Sequence, residues 1–313
     1  MIAGVVGAAL MAPLVVFYAR SPALVVTEVP FVTLYGEERL KKDRASASRA
    51  LFRRVKPVLV ADGVSPDMVI LAIHEASRRP RCVLFGRSQA QAARLFHEQF
   101  PQILTIVLSG LIKIPELPPP DDFLCIYGTD RAVDLYRAGL FAGILGSERR
   151  KPAQKTEKEA EKQPDAATPP ANAAQTYVFW QDRFMPEGGR ELFSQGVKEK
   201  DPESNAIFIN LATQLPDTKV IACITLTGVG AEYLERNAAV PQILFGWLDP
   251  AMLPREVVVQ LDDSHWALAV PAVRMAIKKQ TEGKIPSKPL IFSLKIADNN
   301  IFRMLEKSAK KMP

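Results

Sequence analysis

The stretch "DDFLCIYGTDRAVDLYRAGLFAGILG", Asp121 to Gly146, changes its period halfway along. Phe123–Tyr127 is an unbroken apolar run, which suits a strand covered on both faces. The chain then turns at Gly128-Thr129-Asp130, and from Ala132 the apolar residues recur at helical spacing. On that helix Gly139 and Gly143 lie four residues apart on one face, each preceded by an alanine. The same spacing serves helix pairing in membranes. Asp134 and Arg137 in the helix, and the strand before it, point instead to a soluble lobe. The small residues then predict a helix lying close against a sheet or a facing lobe.

The strand-then-helix unit repeats on both sides of this stretch. Before it, "ALVVTEV", "KPVLVAD", "RCVLFG" and "ILTIVLSG" read as buried strands, separated by helices over Leu40–Val55, Pro66–Arg79 and Ser88–Phe100. After it, "SERRKPAQKTEKEAEKQPDAATPPANAAQ", Ser147 to Gln175, has no aromatic residue and is rich in Lys, Glu, Pro and Ala. Such a segment cannot offset its ordering entropy by burial, which predicts a disordered insertion. The pattern restarts with "TYVFWQD", "NAIFINLA", "KVIACITLTG", "QILFGWLD", "EVVVQLDD" and "KPLIFSLK". Helices are expected over Pro186–Lys200, Gly228–Asn237, Asp263–Gln280 and Ile301–Lys311. Alternation of this kind means α/β with doubly wound parallel sheets, and 313 residues accommodate two domains.

Composition narrows the function classes. With 48% hydrophobic and 24% charged residues the chain is of ordinary globular type. A net charge of +6 is scattered rather than blocked, and no nucleic-acid-binding motif accompanies it. Cys82, Cys125 and Cys223 each sit inside an apolar run and read as core residues. His74, His97 and His265 have no partner at ligand spacing, so no metal and no cofactor is expected. Met1–Tyr18 is uncharged and mostly apolar and is followed by Arg20. Residues 1–20 are expected to be a secretory signal or a membrane anchor.

Catalytic motifs are missing. No Gly-x-Gly-x-x-Gly follows the first strand, and the chain has no phosphate loop and no Gly-x-Ser-x-Gly elbow. "LDDSH", Leu261 to His265, pairs carboxylates with a histidine, but neighbours at a strand end point apart. Asp263 or Ser264 as a helix cap explains that run more simply. The chain is read as a non-enzyme.

The order of these pieces resembles the type I periplasmic binding proteins, the two-lobed solute receptors, and within them the basic-membrane-protein or nucleoside-binding branch. "DDFLCIYGTDRAVDLYRAGLFAGILG" is similar to that family's first crossover and its AG-x-x-AG helix. "PQILFGWLD" is similar to a late strand of the second lobe. "REVVVQLDDSHWALAVPAVRMAIKKQTEGK" is similar to the strand and helix that cross back. The resemblance implies two doubly wound lobes joined by three crossovers, near Gly128–Asp130, Leu261–Asp263 and Gly283–Lys288. Lobe 1 would comprise 21–128 with 263–284, and lobe 2 129–262 with 285–313, carrying the insertion at 147–175.

Ligands of open α/β sheets gather beyond the carboxyl ends of the strands. That rule selects Glu28, Arg87, Ser88, Asp130, Trp180, Arg183, Thr227 and Asp249 as ligand-binding candidates. A ring could stack on Trp180 while Arg183 holds an anion, or Arg183 could pair with Asp182. Ser88 is either an anion contact or a helix cap, and so is Asp130 between a cap and a ligand contact. The resemblance implies that Asp249 holds ribose hydroxyls; its position before Pro250 also suits a cap. The chain departs from the nucleoside branch after its first strand, where "TEVPFVTLYGEE" replaces a Gly/Asn/Asp-rich loop, and no lipid-accepting Cys follows the leader.

The reading is an exported solute-binding protein closing two lobes on a small polar ligand (nucleoside, sugar or amino-acid-like) for an ABC transporter. Its partners would be that ligand and an ABC permease, with no nucleic acid. It would be a monomer in the periplasm or on the extracytoplasmic face of the membrane, touching the membrane through its N-terminal segment. The alternative is a membrane-anchored sensor or interaction protein with the same fold and no transport role.

Overall fold

The computed structural model describes residues 20–110, 114–115, 117–160, 175–179, 185–209, 220–225, 241–253, 257–292 and 299–311. Residues 1–19 lie outside that set, as does the helix expected over Gly228–Asn237. The chain divides into two compact units. The first runs to Thr129 and includes Asp263–Ile285; the second is Asp130–Asp262 with the residues from Pro286 onward.

The first unit is built on β1 (Ala23–Glu28), β2 (Val55–Val60), β3 (Cys82–Gly86), β4 (Leu104–Gly110), β5 (Leu124–Thr129) and β11 (Glu282–Ile285). Its sheet order is β11-β5-β4-β3-β1-β2, and each described pairing is parallel. Helices α1 (Val29–Tyr35), α2 (Glu37–Ala50), α3 (Pro66–Ala76), α4 (Ala90–Gln99) and α7 (His265–Ile277) cover it. Continuous burial along "ALVVT" follows from helices on both faces. Val69, Ile73, Phe85, Phe96 and Val107 form the core on one side, each burial contributing on the order of 2 kcal/mol.

The second unit repeats the order with β6 (Gln175–Phe179), β7 (Asn205–Ile209), β8 (Val220–Thr225), β9 (Gln242–Phe245), β10 (Val257–Asp262) and β12 (Lys288–Ile291). The sheet runs β12-β10-β9-β8-β6-β7. It departs from the expected all-parallel sheet in β12, which runs antiparallel to β10. Pro286 and Ser287 link β11 in the sheet of the first unit to β12 in the sheet of the second. Helices α5 (Arg131–Ala160), α6 (Gly189–Lys200) and α8 (Asn299–Lys311) belong to this unit.

The opening stretch resolves here. The apolar side of α5 does meet the sheet, through Ala138, Phe141 and Ala142 in the core with Ile243, Phe245 and Val259. The glycines face α6 instead. A Cβ on Gly139 would lie 2.2 Å from Phe193 O, one on Gly143 2.5 Å from Val197 O, and one on Gly196 2.3 Å from Tyr136 O. The spacing that serves helix pairing in a bilayer serves it here between two helices of an α/β unit. Tyr136 donates its hydroxyl to Glu199 beside this contact.

The same helix differs from expectation at its other end. It continues to Ala160, so the first part of the segment expected to be disordered from Ser147 is helical; 161–174 lie outside the described residues. Ala, Glu and Lys are strong helix formers, and extending a helix already packed upstream needs no new nucleus. A segment that would not order in isolation is thus helical where it continues a packed helix.

A buried polar cluster ties the last crossing down. Asp134, fully buried, accepts Ser287 N–H at 2.8 Å and Ser287 Oγ at 2.5 Å, and Arg131 Nη1 lies 3.6 Å from its carboxylate. Arg137 donates to Ser287 O at 3.0 Å, and Arg131 stacks on Phe245 at 4.6 Å. Burial draws the Arg137 pKa down while Asp134 and Asp130 oppose it. Asp134 and Arg137, the charges that pointed to a soluble lobe, are buried inside it.

Candidate functional site

Both sheets have the 2-1-3-4-5 order, whose direction reverses between the first and third strands. Ligands of such sheets bind outside the carboxyl ends at that switch point. In the first unit the point lies between β1 and β3, paired in parallel from Ala23 and Cys82 to Val25 and Leu84. Glu28 ends β1, and the 3-10 turn Arg87–Gln89 follows β3. Gln89 donates its amide to Glu28 Oε1 at 2.7 Å across the switch point. Arg87 and Ser88 are exposed beside that bond, and Ser88 does not cap the helix that follows. Glu28, Arg87 and Ser88 are thus brought together by the fold.

The floor of this edge is built by α7. Ser264, the N-cap, accepts Ala267 N–H at 3.1 Å, so it is the cap that "LDDSH" hides. Trp266 donates its indole N–H to Thr27 Oγ1 at 3.1 Å, and Thr27 donates to Val25 O at 3.1 Å. The His265 ring lies 4.3 Å from that of Phe31. Its Nε2 is sealed from solvent with no hydrogen-bond partner among the described residues, and burial draws its pKa down to about 4. An imidazole neutral at pH 7 serves here as an apolar wall, not as an acid or base. At the end of β5 the buried Thr129 hydroxyl also finds no partner among the described residues.

Chemically, the edge offers a carboxylate, an exposed guanidinium, a hydroxyl and an amide. A carboxylate accepts hydroxyls or ammonium groups, and a guanidinium donates two parallel bonds to carboxylate or phosphate. Gln89 and Phe31 were not among the sequence candidates. Gln89 could have been found as a polar residue just past a strand end. Phe31 was hidden because "VPFVTLY" carries β-branched and aromatic residues, whereas Pro30 at the start makes it helix α1.

In the second unit, Asp130 Oδ1 accepts Val133 N–H at 3.3 Å and starts α5. Asp249 Oδ1 accepts Ala251 N–H at 2.9 Å and caps the turn Pro250–Met252. Gln260 holds that loop by donating to Leu248 O at 3.1 Å. Trp180, Arg183 and Thr227 lie outside the described residues. Among the described residues no group of three or more His, Cys, Asp or Glu could hold a metal ion. None of the described helices is long and apolar enough to cross a membrane.

No family model and no curated protein matches the sequence. Among solved structures, an ABC transporter solute-binding protein from Conexibacter woesei aligns at 11% identity and a TM-score of 0.54, covering 94% of this chain and 96% of that one. A transcriptional activator of the comK gene from Bacillus halodurans aligns at 13% and 0.51, covering 93% and 96%. At such identities the likeness speaks for fold alone, and it agrees with the strand orders above: the chain has the α/β fold of the type I periplasmic binding proteins.

Proposed function

We propose that this chain is an extracytoplasmic solute-binding protein of an ABC transporter, taking a small polar solute at the carboxyl edge of its first sheet. The observation that supports it is the switch point of the first sheet, where Glu28 and Gln89 are bonded and Arg87 and Ser88 stand exposed beside them. Such a mixed set fits a nucleoside, a sugar or an amino-acid-like molecule, and it performs binding, not catalysis. The ABC permease and export through the N-terminal segment belong to the same proposal.

Native mass spectrometry of the purified chain tests it, followed by thermal melting with nucleosides, sugars and amino acids. A true ligand at a hundred times its Kd stabilises by about 2.7 kcal/mol. Glu28→Ala with Arg87→Ala should abolish that gain. An empty chain that none of the three classes stabilises overturns the proposal.

A second reading, a membrane-anchored sensor or interaction protein of the same fold, has one observation in its favour. Glu28, Asp130 and Asp249 each already hold a bond within the fold, as in a binding edge turned to structural use. Both transport proteins and regulators use this fold, so fold does not choose between the readings.

A further inference from the structure

The amino edge of the first sheet, opposite the edge just described, has a chemistry of its own. Ala23, Val55 and Cys82 are register partners in parallel strands, so the loops that lead into β1, β2 and β3 lie side by side. Those loops read Arg20-Ser21-Pro22, Leu51-Phe52-Arg53-Arg54 and Ser77-Arg78-Arg79-Pro80-Arg81: six arginines and no acidic residue. They are knitted together: Arg20 Nη1 donates to Phe52 O at 3.2 Å, Arg53 Nη1 to Ser21 O at 3.0 Å, and Arg81 N to Pro22 O at 2.8 Å. Arg20, Arg78, Arg79 and Arg81 are exposed. So is Phe52, 52% accessible, with the Arg20 guanidinium 5.3 Å from its ring centre. Its φ of 51°, uncommon for a side chain of this size, belongs to the turn that leaves the ring at the surface. Asp121 and Asp122 precede β5, on the far side of β3 and β4, and Glu75 stands exposed in the last turn of α3, just before the Ser77–Arg81 loop.

We infer that this face docks on a lipid surface of net negative charge. Two observations choose that occupant. Clustered arginines framing one exposed aromatic ring match the layered chemistry of an anionic headgroup region. The face is also where the chain enters the fold: Arg20 is the first charged residue of the sequence, directly after the apolar Met1–Ala19. The inference rests on reading that segment as membrane-associated, and it adds a specificity the segment alone lacks, since an uncharged apolar stretch does not distinguish lipids by charge.

The test is flotation of the full chain with vesicles of phosphatidylcholine alone and of phosphatidylcholine mixed with phosphatidylglycerol. Partition into the neutral vesicles reports the apolar segment, and the ratio of anionic to neutral partition reports the face. Each arginine near an anionic surface contributes about five-fold. The variant Arg78→Gln/Arg79→Gln/Arg81→Gln should therefore lower that ratio by about a hundred-fold, leave neutral partition unchanged, and keep the wild-type thermal transition. The Lys triple variant at the same positions should retain the ratio, and about 1 M salt should erase it. Equal partition of the wild type into both vesicles overturns the inference, as does a Gln variant with an unchanged ratio. Binding to a DNA duplex without preference for anionic vesicles assigns the face to nucleic acid and also overturns it. None of these outcomes depends on a solute, so they stand or fall separately from the transport proposal.

Discussion

Gly196→Ala should destabilise the second unit, although the same change in an ordinary exposed helix stabilises. Alanine outranks glycine in a helix by about 1 kcal/mol, so propensity alone predicts a gain. The contact geometry predicts the opposite. The added Cβ would stand 2.3 Å from Tyr136 O, 2.9 Å from Leu140 N and 3.1 Å from Gly139 C, all backbone atoms of α5 that no rotamer change can move. Ordinary contact begins near 3.4 Å, so the helices must part by about 1 Å, loosening the packing of Phe193 and Val197 with it. Overpacking of this kind costs about 1–3 kcal/mol, and backbone partners favour the upper end. A net loss of about 2 kcal/mol lowers the midpoint of a unit of this size by roughly 4–8 °C. Gly86→Ala is the control, since its Cβ would meet nothing nearer than Ser88 Oγ at 3.9 Å. Calorimetry or chemical denaturation of the two variants and of Gly139→Ala supplies the measurement. The double variant should cost less than the sum, because helices already parted admit the second methyl more easily. A Gly196→Ala protein as stable as the wild type would refute the close helix pair.

Other consequences follow from single contacts. His265 titrates near 6.5 when unfolded but only near 4 when folded, so the unfolded chain binds the extra proton between those values. Stability should therefore fall as pH drops from 6.5 towards 4, by up to ~3 kcal/mol at about 1.4 kcal/mol per unit. Urea midpoints against pH should show that slope in the wild type and a shallower one in His265→Gln. Asp134→Ala leaves the buried Arg131 and Arg137 without their carboxylate and should cost about 3–5 kcal/mol in denaturant titrations, far more than Ser287→Ala. Trp266→Phe removes the indole donor from Thr27 and should cost about 1–2 kcal/mol in the same titrations. Cys82, fully buried with its pKa pushed up to about 12, should react with a thiol reagent only on unfolding.

Much of the architecture was legible because burial leaves a periodic trace. Unbroken apolar runs marked the strands, and their alternation with helical repeats announced doubly wound sheets. Proximity to strand ends was enough to single out Glu28, Arg87 and Ser88, because a parallel sheet places every carboxyl end on one edge. The misses share a cause. β11, "EGKI", has only Ile285 buried and becomes a strand through its pairing with β5, a partner more than 150 residues away. The partner of Glu28 is Gln89, 61 positions on. The glycines of α5 announced a close approach, but the sequence held no record of which element would approach.

Composition and period thus determined the class of fold and the edge on which polar groups collect, since both depend on residues near one another along the chain. The tertiary structure alone decided that Gly139 meets Gly196 and Gly143 meets Val197, that Asp134 closes over Ser287, and that arginines from three separate loops share one face. Each of these is a pairing between distant segments. Its energy comes from geometry that exists only after the strands have found their neighbours.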